Sequence, residues 1–292
     1  MRIDLHTHSR VSDGTQSPTE LVRAAEEAGL DVLGLTDHDT TAGWAEAARA
    51  AADVGITLVR GIEISCRFAG RGVHLLAYLP DPDHPDLVEG LRLVLEGRNS
   101  RVPAIVARLR ELGIDVTVDD VRRVAGEAAA TGRPHVADAL VAKGVVRDRT
   151  QAFAELLSPG RPAYVDRYAA DLEGMIRTVA DAGGVTVVAH PWGRHDPSGR
   201  SAEAIAGLRD HGLTGLEVDH EDHDAASRTE LRAIARDLDL VVTGSSDHHG
   251  TGKLGHALGC NTTEPDEFER LVGLAEAAAA ASGRTTPQVL PG

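Results

Sequence analysis

Short apolar segments of strand length alternate with helical segments near both ends of this chain, and this alternation restricts the fold more than any other feature. The first helix has a clear start signal, because Ser17-Pro18-Thr19-Glu20 supplies an N-cap serine, an early proline and a capping-box glutamate. With about seven strands, the pattern predicts an α/β fold built as an incomplete or distorted barrel. The predicted strands cover residues 2–5, 31–36, 56–64, 73–78, 185–189, 214–219 and 240–244.

The strand signals stop in the middle of the chain, where apolar residues recur at helical spacing instead. Proline-rich segments at both ends of this stretch are suitable boundaries. We therefore predict a barrel domain formed by residues 1–80 and 165–283, with a helical insertion over 81–164 that caps the substrate. Residues 284–292 are predicted to be a tail.

The charge balance restricts the class of partner. The chain has 45 acidic and 30 basic side chains, a formal net charge of −15. Such a chain is poorly suited to duplex DNA or an anionic membrane surface, because both are bound by neutralising phosphates with lysine and arginine. A small phosphorylated ligand remains compatible, since metal ions and a few arginines can make one cleft positive. No feature of the sequence implies a protein partner.

Cysteine usage and the N-terminal segment predict a cytoplasmic protein. Cys66 and Cys260 are far apart and have no metal-binding or redox spacing, so we expect both to be buried small apolar residues. The N-terminal segment has charge and histidine where a signal peptide would need an apolar run. No segment has the roughly 20 consecutive apolar residues of a membrane span.

Nine histidine and acidic side chains have the types and placement of a site that binds several metal ions: His6, His8, Asp13, His38, Glu63, His74, His190, Asp247 and His249. Most follow a predicted strand, and the carboxyl ends of barrel strands meet at one face. His74 fits least well, because it begins its predicted strand. Imidazole and carboxylate ligands suit divalent manganese, iron and zinc, and such ions promote hydrolysis. The other histidines without an evident partner are predicted to be surface residues: His84, His195, His211 and His256.

Five ordered motifs resemble those of the PHP (polymerase and histidinol phosphatase) family: His6-Thr7-His8-Ser9, Thr36-Asp37-His38-Asp39, Gly61-Ile62-Glu63, Ala189-His190-Pro191 and Ser246-Asp247-His248-His249. The resemblance spans residues 1 to about 260 and implies a distorted (β/α)7 barrel with three divalent ions, commonly manganese, iron or zinc. Manganese is our first choice. Carried over by position, the resemblance implies that His6, His8, Glu63 and Asp247 hold one ion. Glu63 would bridge to a second ion on His74 and His190, and Asp13, His38 and His249 would hold the third.

Within this family, the long helical insertion and the segment Thr131-Gly132-Arg133-Pro134-His135 resemble the branch of small phosphoesterases that act on nucleotides. The resemblance implies a hydrolase that converts a 3′,5′-nucleoside bisphosphate to a nucleoside monophosphate. Short 5′-phosphorylated RNA is a second implied substrate. The implied nucleophile is a metal-bound hydroxide, which attacks phosphorus in line with the leaving oxygen.

The residues predicted to bind substrate lie mainly in the insertion. Arg133 offers a two-pronged contact to a second phosphate, with His135 beside it. The alternative is an ordinary turn that opens a helix at His135. Asn99 and Arg101 belong to a segment that resembles a phosphate-contacting stretch of this branch.

Two further pairs of residues are predicted to act near the metals. His220 and His223 follow the strand that ends at Asp219 and are candidate catalytic residues, as phosphate contacts or as a proton donor to the leaving group. Asp37 and Asp39 could orient the ligand imidazoles or cap the following helix, and the sequence supports both roles equally.

Three other functions remain open at this point. One is a phosphatase of histidinol phosphate or another small metabolite, which has less use for a second phosphate contact at Arg133. Another is a noncatalytic metal-binding module, against which stands the full set of nine candidate ligands. A deaminating or amide-cleaving barrel enzyme would also begin with His-x-His, but it usually needs a bridging lysine. Lys143 and Lys253 are the lysines of this chain, and neither is predicted to follow a barrel strand.

Overall fold

Seven strands form a nearly closed sheet in the order β1-β2-β3-β4-β6-β7-β8, in a computed structural model that describes residues 1–193, 201–285 and 289. The predicted α/β barrel is confirmed. An additional short strand, β5, lies off this path and pairs with β3. The strands are β1 (Ile3–Thr7), β2 (Val32–Leu35), β3 (Thr57–Phe68), β4 (Arg71–Tyr78), β5 (Ala170–Asp171), β6 (Val185–Val188), β7 (Gly215–Asp219) and β8 (Val241–Gly244).

One strand runs against the others, and this is the distortion of the barrel. β4 is antiparallel to both β3 and β6, whereas the other neighbouring pairs along the path are parallel. β3 and β4 form a hairpin through Ala69 and Gly70, both with positive φ. The hairpin is longer than predicted, since β3 continues beyond Ile64 to Phe68. Glu63 therefore lies within β3, not at its end as predicted.

The helices begin close to the residues that carry start signals. α1 has the predicted capping box, in which Ser17 and Glu20 each accept a backbone N–H. α2 begins at Trp44. The helices are α1 (Pro18–Glu27), α2 (Trp44–Val54), α3 (Pro85–Ser100), α4 (Val102–Glu111), α5 (Val118–Ala125), α6 (Arg133–Ala142), α7 (Arg149–Ala152), α8 (Leu172–Asp181), α9 (Ala202–Asp210), α10 (Ala225–Asp237) and α11 (Pro265–Ala281). A π-helical turn (Phe153–Leu157) follows α7.

The buried apolar residues form three clusters. The largest joins the sheet to the surrounding helices and includes Leu87 and Leu91 of α3. A second joins the strands to Phe268 and Leu271 of α11. The third lies within the helices from α4 to the π-helical turn and includes Ile105. By its packing, α3 therefore belongs with the barrel, and the separate helical core begins at α4. The domain boundaries given above remain a prediction.

Several predictions about individual residues are settled by burial. Cys66 is buried as predicted, but Cys260 is exposed. His84 and His256 are buried, whereas they were predicted to be at the surface. His195 and most of the predicted tail lie outside the described residues. Among the helices described, none is long and apolar enough to cross a membrane.

Candidate metal centre

The nine predicted ligand side chains meet at one end of the barrel. Most are held at the carboxyl end of a parallel strand or in the loop that follows: His6, His8 and Asp13 with β1, His38 after β2, His190 after β6, and Asp247 and His249 after β8. Glu63 lies within β3, and an isolated bridge pairs it with His38. His74 also reaches this end, because the antiparallel direction of β4 places its first residues beside the last residues of β3. The apparent misfit of His74 is thereby explained.

Glu63 is at the junction of the cluster. Its Oε2 lies 3.0 Å from Nδ1 of His38 and 3.2 Å from Nε2 of His8. Its Oε1 lies 2.7 Å from Nδ1 of His74 and 3.2 Å from Nε2 of His190. Both oxygens therefore face imidazole nitrogens on different sides, which is the arrangement that a bridging carboxylate needs.

The other two carboxylates each face their own group of imidazoles. Asp247 Oδ1 lies 3.4 Å from Nε2 of His6 and 3.3 Å from Nε2 of His8. Asp13 lies 3.2 Å from Nε2 of His249 and 3.5 Å from Nε2 of His38. Within the part of the chain that the structure describes, the predicted side chains form three groups of candidate ligands: His6, His8 and Asp247; His8, Asp13, His38 and His249; and His38, Glu63 and His74. His8 and His38 each belong to two groups, so the division among ions implied by the resemblance is less distinct in the structure.

The electrostatics of the centre fit divalent cations. Burial would raise the pKa of Glu63, but the neighbouring His74 and His38 hold it well below its usual range. The pKa of Asp247 is also held well below its usual range, because Lys253 and His6 outweigh its burial. Nε2 of His6 lies 3.1 Å from Nε2 of His8, so two imidazole nitrogens point at a shared space. Buried imidazoles and ionised carboxylates that converge in this way are suitable ligands for such ions.

Unusual backbone conformations mark the loops of the site. His190 has φ 29° and Asp247 has φ 51°, both in the left-handed region that residues other than glycine rarely adopt. Asp39 also lies there, with φ 57°. Such strain is retained where the surrounding structure fixes the residue, and it is concentrated at functional sites.

Asp37 and Asp39 take neither of the two roles considered above. Asp37 accepts hydrogen bonds from Ser9 and Ser12, in the loop that carries Asp13. Asp39 accepts them from Ser65 and from Nε of Arg98 at 2.8 Å. Both aspartates therefore fix the loops that present the ligands. The N-cap of α2 is Gly43 instead.

Glu217 on β7 contacts two of the predicted ligands and is a candidate site residue that was missed at the sequence level. It is fully buried and accepts hydrogen bonds from Nδ1 of His6 at 2.9 Å, from the amide of His190 at 2.7 Å, and from the Ser245 hydroxyl. A carboxylate that holds Nδ1–H of a ligand histidine orients its Nε2 toward an ion. The available signal was a charged residue at an inward position of an apolar strand.

Arg101 is the most unusual of the predicted substrate residues. It is 6% exposed, and its Nε has no hydrogen-bond partner among the described residues. Arg133 begins α6, lies over the rings of Phe153 and Tyr164, and donates to the Leu157 carbonyl. Burial and the nearby charges of Arg133 and Arg167 lower the pKa of Arg101 to about 8. A concentration of positive charge attracts an anion.

Asn99 and His135 have local partners. Asn99 is exposed, and its side chain donates to the Ala129 carbonyl. His135 is buried, and its Nδ1 accepts the amide of Gly132 at the start of α6. The helix thus begins at Arg133. This is two residues before the start given in the alternative, an ordinary turn that opens a helix at His135.

The two candidate catalytic histidines differ in their surroundings. His223 donates from Nδ1 to the Val218 carbonyl and accepts the amide of Trp192 at Nε2, so both ring nitrogens serve the backbone. It would have to break one of these bonds to contact phosphate. His220 is fully buried, with Nε2 3.4 Å from Oδ2 of Asp247. Lys253, which was set aside at the sequence level, lies in the loop region after β8 and forms an ion pair with the same oxygen.

Comparison with known proteins agrees with this site. The PHP domain model matches residues 4–115. A 3′,5′-nucleoside bisphosphate phosphatase of Chromobacterium violaceum is 37% identical over 258 residues, which are 88% of this chain and 90% of that protein. A 5′-3′ exoribonuclease of Haemophilus influenzae is 37% identical over 250 residues, or 85% of this chain and 90% of that protein.

Structural similarity extends over nearly the whole chain. The crystal structure of a metal-dependent phosphoesterase from Bifidobacterium adolescentis, itself described as putative, superposes with a TM-score of 0.87 at 37% identity. The match covers 93% of this chain and 96% of the other. From this similarity and from the converging histidines and carboxylates, the chain belongs to the PHP family of metal-dependent phosphoesterases and is a hydrolase of phosphoric esters.

Proposed function

We propose that this enzyme removes one phosphate from a 3′,5′-nucleoside bisphosphate, with short 5′-phosphorylated RNA as a second substrate. The observation that carries the proposal is Arg101, a buried guanidinium whose Nε lacks a partner among the described residues. It lies close enough to Arg98, Arg133 and Arg167 for their charges to lower its pKa. A phosphate that the metal ions do not hold would neutralise this group and supply the missing hydrogen bond.

Arg98, Arg101, Arg133 and Arg167, which we call the arginine group, border the metal centre. Arg98 donates to Asp39, which adjoins His38, and its charge contributes to the lowered pKa of both His38 and His74. One phosphate at the metals and another at Arg101 would therefore belong to a single small molecule. The names of the Chromobacterium and Haemophilus relatives support a nucleotide or an RNA end as that molecule.

Within this proposal, the nine predicted residues hold three divalent ions, manganese first among them. When bound, such ions neutralise phosphoryl oxygens and activate water for attack. The protein itself supplies orientation: Glu217 aligns His6, Asp37 and Asp39 fix the ligand loops, and Arg101 holds the remote phosphate. A cytoplasmic location belongs to the same proposal.

The test compares phosphate release from a 3′,5′-nucleoside bisphosphate, AMP and histidinol phosphate by the manganese-loaded protein. Arg101→Met should raise KM for the bisphosphate by about 10- to 100-fold, the loss of one or two hydrogen bonds to a charged group, and should change KM for AMP little. Arg92→Met is the matched control, because Arg92 is exposed on α3 and pairs only with Glu89 and Glu96 in its described contacts.

His38→Ala should abolish turnover of every ester, and it controls for contaminating phosphatases. Equal or better turnover of histidinol phosphate would overturn the proposed substrate and retain the phosphatase. An equal effect of Arg101→Met on AMP and on the bisphosphate would remove Arg101 from the second-phosphate site.

A further inference from the structure

A fourth group of candidate metal ligands adjoins the nine predicted residues. His220, Asp247 and His256 are all buried and place one ligand atom each within 4.8 Å of the others. His220 and His256 are additional to the predicted set. By distance alone this group could hold an ion of its own.

The hydrogen bonds of His220 argue against that reading. Its Nδ1 accepts the backbone amide of Asp222 at 3.0 Å. An amide nitrogen can only donate, so Nδ1 must carry the lone pair and the ring hydrogen lies on Nε2. Nε2 is the atom that faces Asp247, and it points a hydrogen, not a lone pair, into the centre. A protonated nitrogen cannot bind a metal ion.

Two histidines of the predicted ligand set, His6 and His249, have the opposite arrangement. His6 directs Nδ1 at Glu217, and His249 directs Nδ1 at the backbone carbonyl of Asp247, 2.9 Å away. An acceptor at Nδ1 places the hydrogen there and leaves the lone pair on Nε2. The same fold therefore prepares these two rings to bind ions through Nε2 and prepares His220 to donate through Nε2.

The two oxygens of Asp247 are correspondingly different. Oδ2 accepts a hydrogen bond from Nζ of Lys253 and faces Nε2 of His220 at 3.4 Å, a distance beyond an ordinary hydrogen bond at which the Nε2 hydrogen still attracts the carboxylate. Oδ1 faces the imidazoles of His6 and His8 and lies 3.4 Å from Nδ1 of His249, whose hydrogen is directed at the backbone carbonyl of Asp247. Oδ1 has no hydrogen bond of ordinary geometry among the described residues. Oδ1 is thus the oxygen left for an ion.

We infer that His220 is a positioning residue, which holds Asp247 through Nε2–H so that this carboxylate binds an ion through Oδ1 alone. Lys253 assists from the same side. The inference rests on the proposed metal centre, and it replaces the predicted role of His220 as a contact to phosphate or a proton donor. It also means that the group of His220, Asp247 and His256 does not hold a further ion.

Nitrogen NMR of the wild-type protein tests the inference without any turnover. With isotopically labelled imidazoles, His220 should show the Nε2–H tautomer in the protein loaded with a spin-half cadmium isotope. His6 and His249 should show scalar coupling between cadmium and Nε2, and His220 should show none. Coupling to His220, or a hydrogen on its Nδ1, would overturn the inference.

Variants test the positioning role through ion affinity measured by calorimetry. His220→Leu removes the donor and should weaken binding by about 10- to 100-fold, as is typical for outer-shell partners of metal ligands. His220→Gln keeps an N–H at the same distance along the side chain and should restore most of the affinity. His211→Leu, at an exposed histidine that contacts Arg177 and Glu173, is the control. Unchanged affinity in His220→Leu would contradict the positioning role.

These measurements separate the inference from the proposed substrate. If cadmium couples to His6 and His249 but the bisphosphate is not hydrolysed, the proposed function fails and the assignment of His220 stands. If the bisphosphate is hydrolysed but His220 couples to cadmium, the assignment fails alone.

Discussion

At the scale of single residues, protons and metal ions compete for the same nitrogens. Burial alone would lower the pKa of His8 from its ordinary value of 6.5, but Asp247 and Glu63 raise it to about 9 in the metal-free protein. The pKa of His6 is also raised, chiefly by Glu217 and Asp247 against the effect of burial. Below these pKa values the imidazoles carry a proton that an ion must displace.

Ion affinity should therefore increase with pH from 7 to about 9, the pKa of His8. The sign follows because the proton on His8 is bound below that pKa and is released when an ion takes the nitrogen. Calorimetry in buffers of different ionisation enthalpy measures the protons released. Affinity that is constant between pH 7 and pH 9 would contradict the prediction.

At the scale of elements, the site depends on how closely the strands approach. Gly34 on β2 lies against β1, and a Cβ at this position would come 2.3 Å from the carbonyl oxygen of Leu5. The neighbouring Thr7 hydroxyl also donates to the Gly34 carbonyl. β1 and β2 carry His6, His8 and His38 at or just beyond their ends, so their spacing sets the position of these ligands.

Gly34→Ala should lower the free energy of unfolding by about 1–3 kcal/mol, the usual cost of overpacking, because backbone must move to admit the methyl group. Urea denaturation of the metal-free protein measures the change. Gly207→Ala in α9 is the matched control: nothing lies within 4 Å of the new methyl, and the helix should gain up to about 1 kcal/mol. If the free energy of unfolding of Gly34→Ala were no lower than that of Gly207→Ala, the two strands would be able to separate freely.

At the scale of the whole molecule, the helices from α4 to α7 contact the barrel at the loop after β1, which carries Asp13. Arg149 of α7 donates to both oxygens of Asp138 in α6 and, 2.9 Å away, to the backbone carbonyl of Asp13. The amide of Ala129 also donates to the Val11 carbonyl, in the same loop. The helices therefore hold one of the ligand loops as well as the arginine group.

Arg149→Met should lower the free energy of unfolding by about 1–3 kcal/mol, because the partly buried Asp138 and the Asp13 carbonyl lose their donor. Ion affinity should fall as well, since the loop of Asp13 is less firmly held. Arg147→Met, at an exposed position two residues away, should change stability by less than about 0.5 kcal/mol. Equal stability of the two variants would mean that the contact to Asp13 contributes nothing.

Much of this molecule could be predicted because its signals are local. The period of apolar residues, the capping box of α1 and the order of His-x-His, Glu and Asp-x-His motifs can all be read within a few residues. They were sufficient for the barrel, for the family and for the chemical class of the site. Burial was harder to predict, as Cys260 and His256 show, because it depends on what the rest of the chain covers.

The sequence by itself determined which side chains can bind ions, because ligand chemistry belongs to the residue type. Only the tertiary structure decided where each of these side chains lies and which of its atoms faces the metal centre. The reversed direction of β4 gave His74 its place, and β7 gave His6 the carboxylate of Glu217. The amide of Asp222 fixed the hydrogen of His220 on the nitrogen that faces Asp247. Strand direction and contacts between distant residues arise when the sheet closes, so no local pattern encodes them.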